Sequence, residues 1–293
     1  MGTPHPRQQV THLFTVDVED YFQVGAFEQL IPRESWDSRE SRVERNVNRL
    51  LDLLAAKDAT ATFFILAWTA ERHPALIRRI VREGHEIASR GVSRRRIDRI
   101  EIVEFREEAR TSRALLEDVS GTHVIGFRAP GFSIVPGCEW AFDVLVEEGY
   151  EYDSSRTPAE YGGYESSRIP PYAHMLDTRS GTLIEVPPTT FDVLGIRLPP
   201  ESGAYIRRLP YRVVREEFLA RERSSIPGVL FVHPWELDPD QPRLEAPWAA
   251  RVRHYRNLRD TAPRLERLMA EFQFGAIAGS LPVVAQNAPL VLA

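Results

Sequence analysis

Phe14-Thr15-Val16-Asp17-Val18-Glu19-Asp20-Tyr21 sets an apolar, β-branched run directly against three carboxylates. Such a run reads as a buried strand, and its end carries Asp17, Glu19 and Asp20 to one edge of a sheet. Carboxylates held this closely raise one another's pKa unless a cation, a proton or a basic side chain compensates them. In isolation the same residues also read as solvated loop carboxylates beside an N-capping Asp17. The rest of the chain decides between the two readings.

Outward from this stretch, apolar periodicity alternates between two kinds of segment. Val10 to Val18 is the first strand, and Val43 to Ala56 carries Val43, Val47, Leu50, Leu51 and Leu54 at helical spacing. Thr60 to Leu66 is of strand type, Pro74 to Gly84 is helical, and Glu86 to Ala88 is a short strand. A helix from Ile102 to Val119 precedes Gly121, and Val124 to Phe127 is a strand that stops at Arg128-Ala129-Pro130. Trp140 to Glu148 is a helix, followed by strands at Tyr150 to Asp153 and, after a Pro- and Gly-rich stretch, Thr182 to Val186. Tyr211 to Arg223 is helical, Gly228 to Val232 is a strand delivering His233, and Leu258 to Phe272 closes the helical set before a final strand at Phe274 to Ile277.

Strands alternating with helices predict a parallel α/β sheet or barrel. In such folds functional residues gather where strands end. The polar residues at those ends are Asp17, Glu19, Asp20, then Ser89 to Arg94, Arg128, Asp153, Glu185 and His233. Several strand ends bearing ionisable residues favour a site over a solvated loop.

With 293 residues, 43% of them hydrophobic, the chain can bury a large core, and no internal repeat or Ser/Gly linker marks a boundary. The expected organisation is a flexible N-terminus over 1–9, one domain over 10–280 and a C-terminal tail over 281–293. A net charge of −5 argues against nucleic acid as the main partner. Lys57 is the only lysine, so the Arg-rich run from Arg90 to Arg99 reflects a chain-wide use of arginine. The single Cys138 excludes an intramolecular disulfide, and no apolar stretch of about 18 residues occurs, so a cytoplasmic protein without membrane insertion is expected.

The residues resemble the polysaccharide deacetylase family, whose homology domain takes its name from the nodulation chitooligosaccharide deacetylase (the carbohydrate esterase family 4 type). Five ordered motifs carry the resemblance. They are Thr15 to Asp20, Gly84-His85-Glu86-Ile87-Ala88-Ser89, Arg128-Ala129-Pro130, Asp153-Ser154 and Leu230-Phe231-Val232-His233. The tail, His233-Pro234-Trp235-Glu236 and His254 to Leu258, is similar to that of deacetylase-like proteins associated with exopolysaccharide clusters.

The resemblance implies a distorted (β/α) barrel with an irregular C-terminal extension, a divalent metal, commonly zinc, and hydrolysis of an N-acyl amide on an amino sugar or polysaccharide. It assigns Asp17 as general base, Glu19 or Asp20 as metal carboxylate, and Arg128 as the partner of Asp17. His233 becomes the acid for the leaving amine, with Asp153 orienting its ring. The second motif departs from the family, because its two metal-binding histidines fall on Arg90 and Arg94. A guanidinium has no lone pair to donate, so neither can bind zinc and no metal is expected. His85 precedes the ligand positions and reads as structural, and a metal would need histidines from elsewhere, such as His73 or His254, to reach the site.

Arg90 and Arg94 are therefore expected to stand in the metal's place and neutralise Glu19 and Asp20, against the plainer reading of a solvated basic loop. They also become candidates for substrate contact and oxyanion stabilisation, as in metal-independent relatives of the allantoinase type. Trp235 and Tyr205 are the candidate sugar-stacking aromatics. Three readings follow: an amide hydrolase without metal, a non-catalytic carbohydrate-binding or regulatory descendant, and a site whose arginines take an anionic sugar.

Overall fold

The computed structural model describes residues 10–159, 169–193, 196–198, 204–287 and 289–292. In β1 (Thr11–Val18), Phe14, Val16 and Val18 turn to one face and join the main apolar cluster. Leu13 turns to the other face, and strand periodicity places Thr15 and Asp17 there too. α1 (Val43–Ala55) buries the apolar stripe read from its sequence. β2 (Thr62–Ile65), α2 (Ala67–Arg72), α3 (Pro74–Arg82) and β3 (Glu86–Ser89) follow. α4 (Ile102–Ser120) opens on a Glu101/Glu104 capping box and ends where Gly121 takes φ 71°, a conformation that suits glycine.

β4 (Gly126–Phe127), α5 (Trp140–Glu147) and β5 (Tyr152–Asp153) complete the next unit. The Pro-rich stretch holds β6 (His174–Thr178), β7 (Gly181–Glu185), β8 (Phe191–Val193), β9 (Ile196–Leu198) and α6 (Ala204–Arg208). Beyond it run α7 (Tyr211–Ser224), β10 (Val229–Val232), α8 (Trp248–Tyr255) and α9 (Thr261–Glu271). β11 (Gln273–Gly275), α10 (Leu281–Asn287) and β12 (Leu290–Leu292) follow, and β12 pairs with β6.

The strands lie in the order β10-β1-β2-β3-β4-β5-β7-β6-β12, with β11 on β1, and are parallel except for β6 against β7. Among the described residues no strand pairing links β10 to β7. Four residues past β7, however, Thr189 donates its backbone N–H to Val229 O of β10 at 3.0 Å, and Val229 N donates to Thr189 Oγ1 at 2.8 Å. The run from β10 to β7 thus curls back on itself as a distorted barrel. Its interior gathers Leu13, Phe64, Ala88, Tyr152, Val186 and Val229, while the helices cover the outer face.

Asp20 is the first departure from expectation. Instead of facing the cleft, its Oδ2 accepts from Ser41 Oγ at 2.9 Å, Arg42 N at 2.7 Å and Val43 N at 3.2 Å, and its Oδ1 from Tyr21 N at 2.9 Å. It serves the unsatisfied amides at the start of α1, which has no side-chain cap of its own. Replacing Asp20 by Ala should cost about 1–2 kcal/mol in denaturant unfolding, as lost helix caps do, and leave ligand binding unchanged. A variant as stable as the parent would remove this role.

Candidate active site

Period-two alternation aims Asp17 from β1 into the mouth of the barrel, and Arg128, next after β4, meets it from the far side. Arg128 is fully buried and uses its whole fork. Nη1 donates to Asp17 Oδ1 at 2.8 Å and to Thr15 Oγ1 at 3.0 Å, Nη2 to Ser154 Oγ at 2.7 Å, and Nε to Ser154 O at 3.1 Å. Its guanidinium carbon lies 4.0 Å from the centre of the Phe64 ring. The expected Asp17–Arg128 pair is in place.

Arg90, directly after β3, lies against the other side of Asp17. Its Nη1 is 2.6 Å from Asp17 Oδ2, an ion pair that does not meet hydrogen-bond geometry, while its Nη2 is 2.7 Å from Glu19 Oε1. Arg94 Nε donates to the same Glu19 oxygen at 2.9 Å. Arg94 does so with a φ of 61°, a left-handed backbone that is costly for a residue with a side chain and typical of functional loops. Burial opposes ionisation of the fully enclosed Glu19, yet the charges of Arg94, Arg90 and His233 outweigh it and hold the carboxyl at about 2. Glu19 is thus the carboxylate that both arginines neutralise, and Asp20 is not.

His233, at the end of β10, points Nε2 into the same space, 3.7 Å from Glu19 Oε2 and 4.0 Å from Asp17 Oδ2. Neither of those carboxylate oxygens has a hydrogen-bond partner among the described residues. The ring's other nitrogen, Nδ1, lies 3.1 Å from Glu236 Oε1. Glu236 Oε2 in turn accepts from Arg207 Nε at 3.1 Å. Burial pushes the Glu236 carboxyl up, but the His233 hydrogen bond and the Arg207 charge prevail and keep it below its usual range.

This arrangement corrects the role given to Asp153. Tyr152 and Ser154 turn inward, so alternation sends Asp153 to the opposite face of β5. There it accepts from Ser155 N at 2.9 Å and Ser155 Oγ at 2.5 Å and lies beside Glu185, whose carboxyl burial and the Asp153 charge push well up. Glu236 orients His233 instead. Its signal in the sequence was the spacing from His233 to Glu236, which the structure uses as an N-cap and N3 pair at a short 3-10 turn. No local pattern marks Arg207, which reaches the site from α6.

Asp17, Glu19, Arg90, Arg94, Arg207 and His233 line a cleft of about 670 Å³ with Phe132, Phe231, Trp235 and His254. Trp235 is a lining residue as expected, although it stacks on His254 at 4.1 Å and is almost wholly buried. Tyr205 is not in the cleft, because it packs on Phe191 and the main core. His254 binds Gln241 Oε1 at 2.8 Å, and His85 accepts from Ala61 N at 3.2 Å in the role read for it. His73 lies beside Glu44 and Ser41, away from the acids.

A divalent metal does not fit these residues. Arg90 and Arg94 place guanidinium nitrogens within 3 Å of Asp17 and Glu19, where an ion would need open lone pairs. Among the described residues no group of three His, Cys, Asp or Glu side chains could hold a metal ion.

A largely parallel barrel that gathers carboxylates, arginines and a histidine at its strand ends is the frame for the comparisons with known proteins. A family model for polysaccharide deacetylase matches residues 35–136, and one for a domain of unknown function, DUF3473, matches 154–281. The chitooligosaccharide deacetylase of Bradyrhizobium sp. (strain ANU 289) is 39% identical over 98 residues, covering 33% of this chain and 42% of that protein. The match thus spans less than half of that relative's length. A Mycobacterium smegmatis structure described as a candidate polysaccharide deacetylase aligns at TM-score 0.68 and 22% identity, covering 100% of this chain and 96% of that one. The Puue allantoinase aligns at TM-score 0.61 and 15% identity over 98% and 99% of the two chains, sharing the fold. Over residues 35–136 the chain is thus similar to polysaccharide deacetylases, and the solved structures share its fold. No helix among the described residues is long and apolar enough to cross a membrane.

Proposed function

We propose that this protein hydrolyses an N-acyl amide on an amino sugar without a metal ion. The observation that carries the reading is the convergence of His233 Nε2 with Asp17 Oδ2 and Glu19 Oε2 at 4.0 and 3.7 Å, backed by the Glu236–Arg207 relay. Asp17 takes a proton from water as the water oxygen bonds to the amide carbon. The Arg90 and Arg94 guanidiniums stabilise the charge developing on the carbonyl oxygen. His233, protonated on both nitrogens with Nδ1 on Glu236, gives its Nε2 proton to the nitrogen as the C–N bond breaks. The products are a carboxylate and a free amine. Residues 10–280 act as one domain in this reading, since both matched segments contribute strands to a single sheet. The free Cys138 suits a reducing, cytoplasmic setting.

One contact favours a second reading. Arg90 Nη1, 2.6 Å from Asp17 Oδ2, presses on the oxygen that would accept the proton, as it could in a non-catalytic carbohydrate-binding descendant. Acetate release from N-acetylchitooligosaccharides, after dialysis against a chelator, separates the two. The proposal expects turnover that survives chelation and falls by about 10²–10⁴-fold in Asp17→Asn and in His233→Ala. Sugar binding without acetate release, even at high protein concentration, would establish the binding protein. Full activity in both variants would overturn the assigned roles.

A further inference from the structure

Beside the active-site cleft lies a second cavity of about 320 Å³ that plays no part in the steps above. The two share Val24, Glu28, Arg94, Arg96 and Arg99 on their walls, so they adjoin. Five guanidiniums line the annex, from Arg33, Arg94, Arg95, Arg96 and Arg99, against two carboxylates, Glu28 and Glu34.

Four of the five annex arginines reach a carboxylate, and Arg33 is the exception. Arg96 is satisfied by Asp98 at 2.9 and 2.7 Å, and Arg95 by Glu104 at 3.2 Å. Arg99 and Arg94 share Glu28 at 3.5 and 3.9 Å. Arg33 has no carboxylate within ion-pair distance among the described residues. Its Nη1 donates to Ser93 Oγ at 2.7 Å, and the neighbouring Glu108 is engaged by Val92 N at 2.8 Å and Ser93 Oγ at 3.2 Å.

Two further wall residues point to the same ligand chemistry. Gln23 and Trp36 are 2% and 6% exposed, and Gln23 Nε2 and Trp36 Nε1 have no hydrogen-bond partner among the described residues. Both unsatisfied groups are N–H donors. A buried donor without an acceptor is costly, and such donors beside the Arg33 guanidinium match a ligand that only accepts.

We propose that the annex is an anion subsite. It takes the carboxylate or phosphate group of an acidic oligosaccharide whose N-acyl sugar occupies the adjoining cleft. This rests on the sugar-amide reading of the cleft and adds the substrate class: an acidic glycan with its charge near the acylated unit. Arg94 joins the two halves, with Nε on Glu19 and its guanidinium also on the annex wall.

The test is calorimetric titration of the full chain with three tetrasaccharides: hyaluronan, which carries uronates, a 6-phosphorylated chitotetraose, and neutral chitotetraose. At least one acidic probe should bind about tenfold tighter than the neutral one, with the advantage shrinking as salt rises. Which acidic probe gains distinguishes carboxylate from phosphate. Arg95→Gln, a change at a partly exposed side chain, and Arg33→Gln should each reduce that advantage and leave chitotetraose binding unchanged. Arg33→Lys should retain part of it, and a thermal melt of each variant shows that it folds. Equal affinity for neutral and acidic probes, or a preference that survives both Gln variants, overturns the annex while the sugar cleft stands. If none of the three probes binds, the sugar reading of the cleft falls and the annex proposal with it.

Discussion

Replacing Arg90 and Arg94 together by histidine is expected to produce a chain that carries about one zinc ion, where the parent carries none. The substitution withdraws two cations from Asp17 and Glu19 and supplies imidazole nitrogens in their place, beside carboxylate oxygens already turned toward His233. Before metal is added the variant should be much less stable, because a buried carboxylate stripped of its counter-charge costs about 3–5 kcal/mol. Zinc should recover most of that loss and leave the parent's melting temperature unmoved. Elemental analysis and paired melts with and without zinc read both effects. Stoichiometric zinc on the parent, or a double variant that melts like the parent without metal, would refute the account of how Glu19 is compensated.

The parent's acid response follows from the same ion pairs. The Glu19 carboxyl sits at about 2 against an ordinary 4.5, so its folded-state pKa is depressed. Its contribution, on the order of 3 kcal/mol, is therefore fully present above pH 4.5 and drains away as pH falls toward 2. In the zinc-free double variant that slope should flatten.

Much of this was readable in the sequence because the barrel's logic is local. Strand alternation and helical spacing placed β1, α1, α3, α4 and β10 within a few residues, and the strand-end rule brought Asp17, Arg128, Arg90 and His233 together. Elements with weak local signals were missed. α2 starts directly after Leu66, an N-cap without a side-chain cap bond, and α8 buries little besides His254, so neither shows a start signal or a clear apolar stripe. The errors within the site have one cause. Asp20 and Asp153 adjoin functional residues in sequence, but a one-residue step along a strand, or the turn just beyond it, reverses the face a side chain meets. Arg207 could not be found by pattern, since only the tertiary fold brings α6 against the turn that holds Glu236.

Arg128→Met should be the most destabilising single substitution in the cleft. One guanidinium ties together the ends of β1, β4 and β5 through Thr15, Asp17 and Ser154, and Ser154 Oγ extends the tie by donating to Val186 O at 2.6 Å. Methionine fills comparable space over Phe64 but leaves Ser154 O and one side of Asp17 buried without their donors. The penalty for such broken pairs is about 3–5 kcal/mol, or roughly 10 °C in melting temperature for a chain of this size. Arg90 still faces Asp17, so the loss should fall short of unfolding the chain at room temperature. Arg128→Lys keeps the charge yet lacks the planar fork, and should recover only part of the deficit. If Arg128→Met melts with the parent, the barrel mouth is held by its strands alone. If Arg128→Lys recovers everything, charge matters there and fork geometry does not.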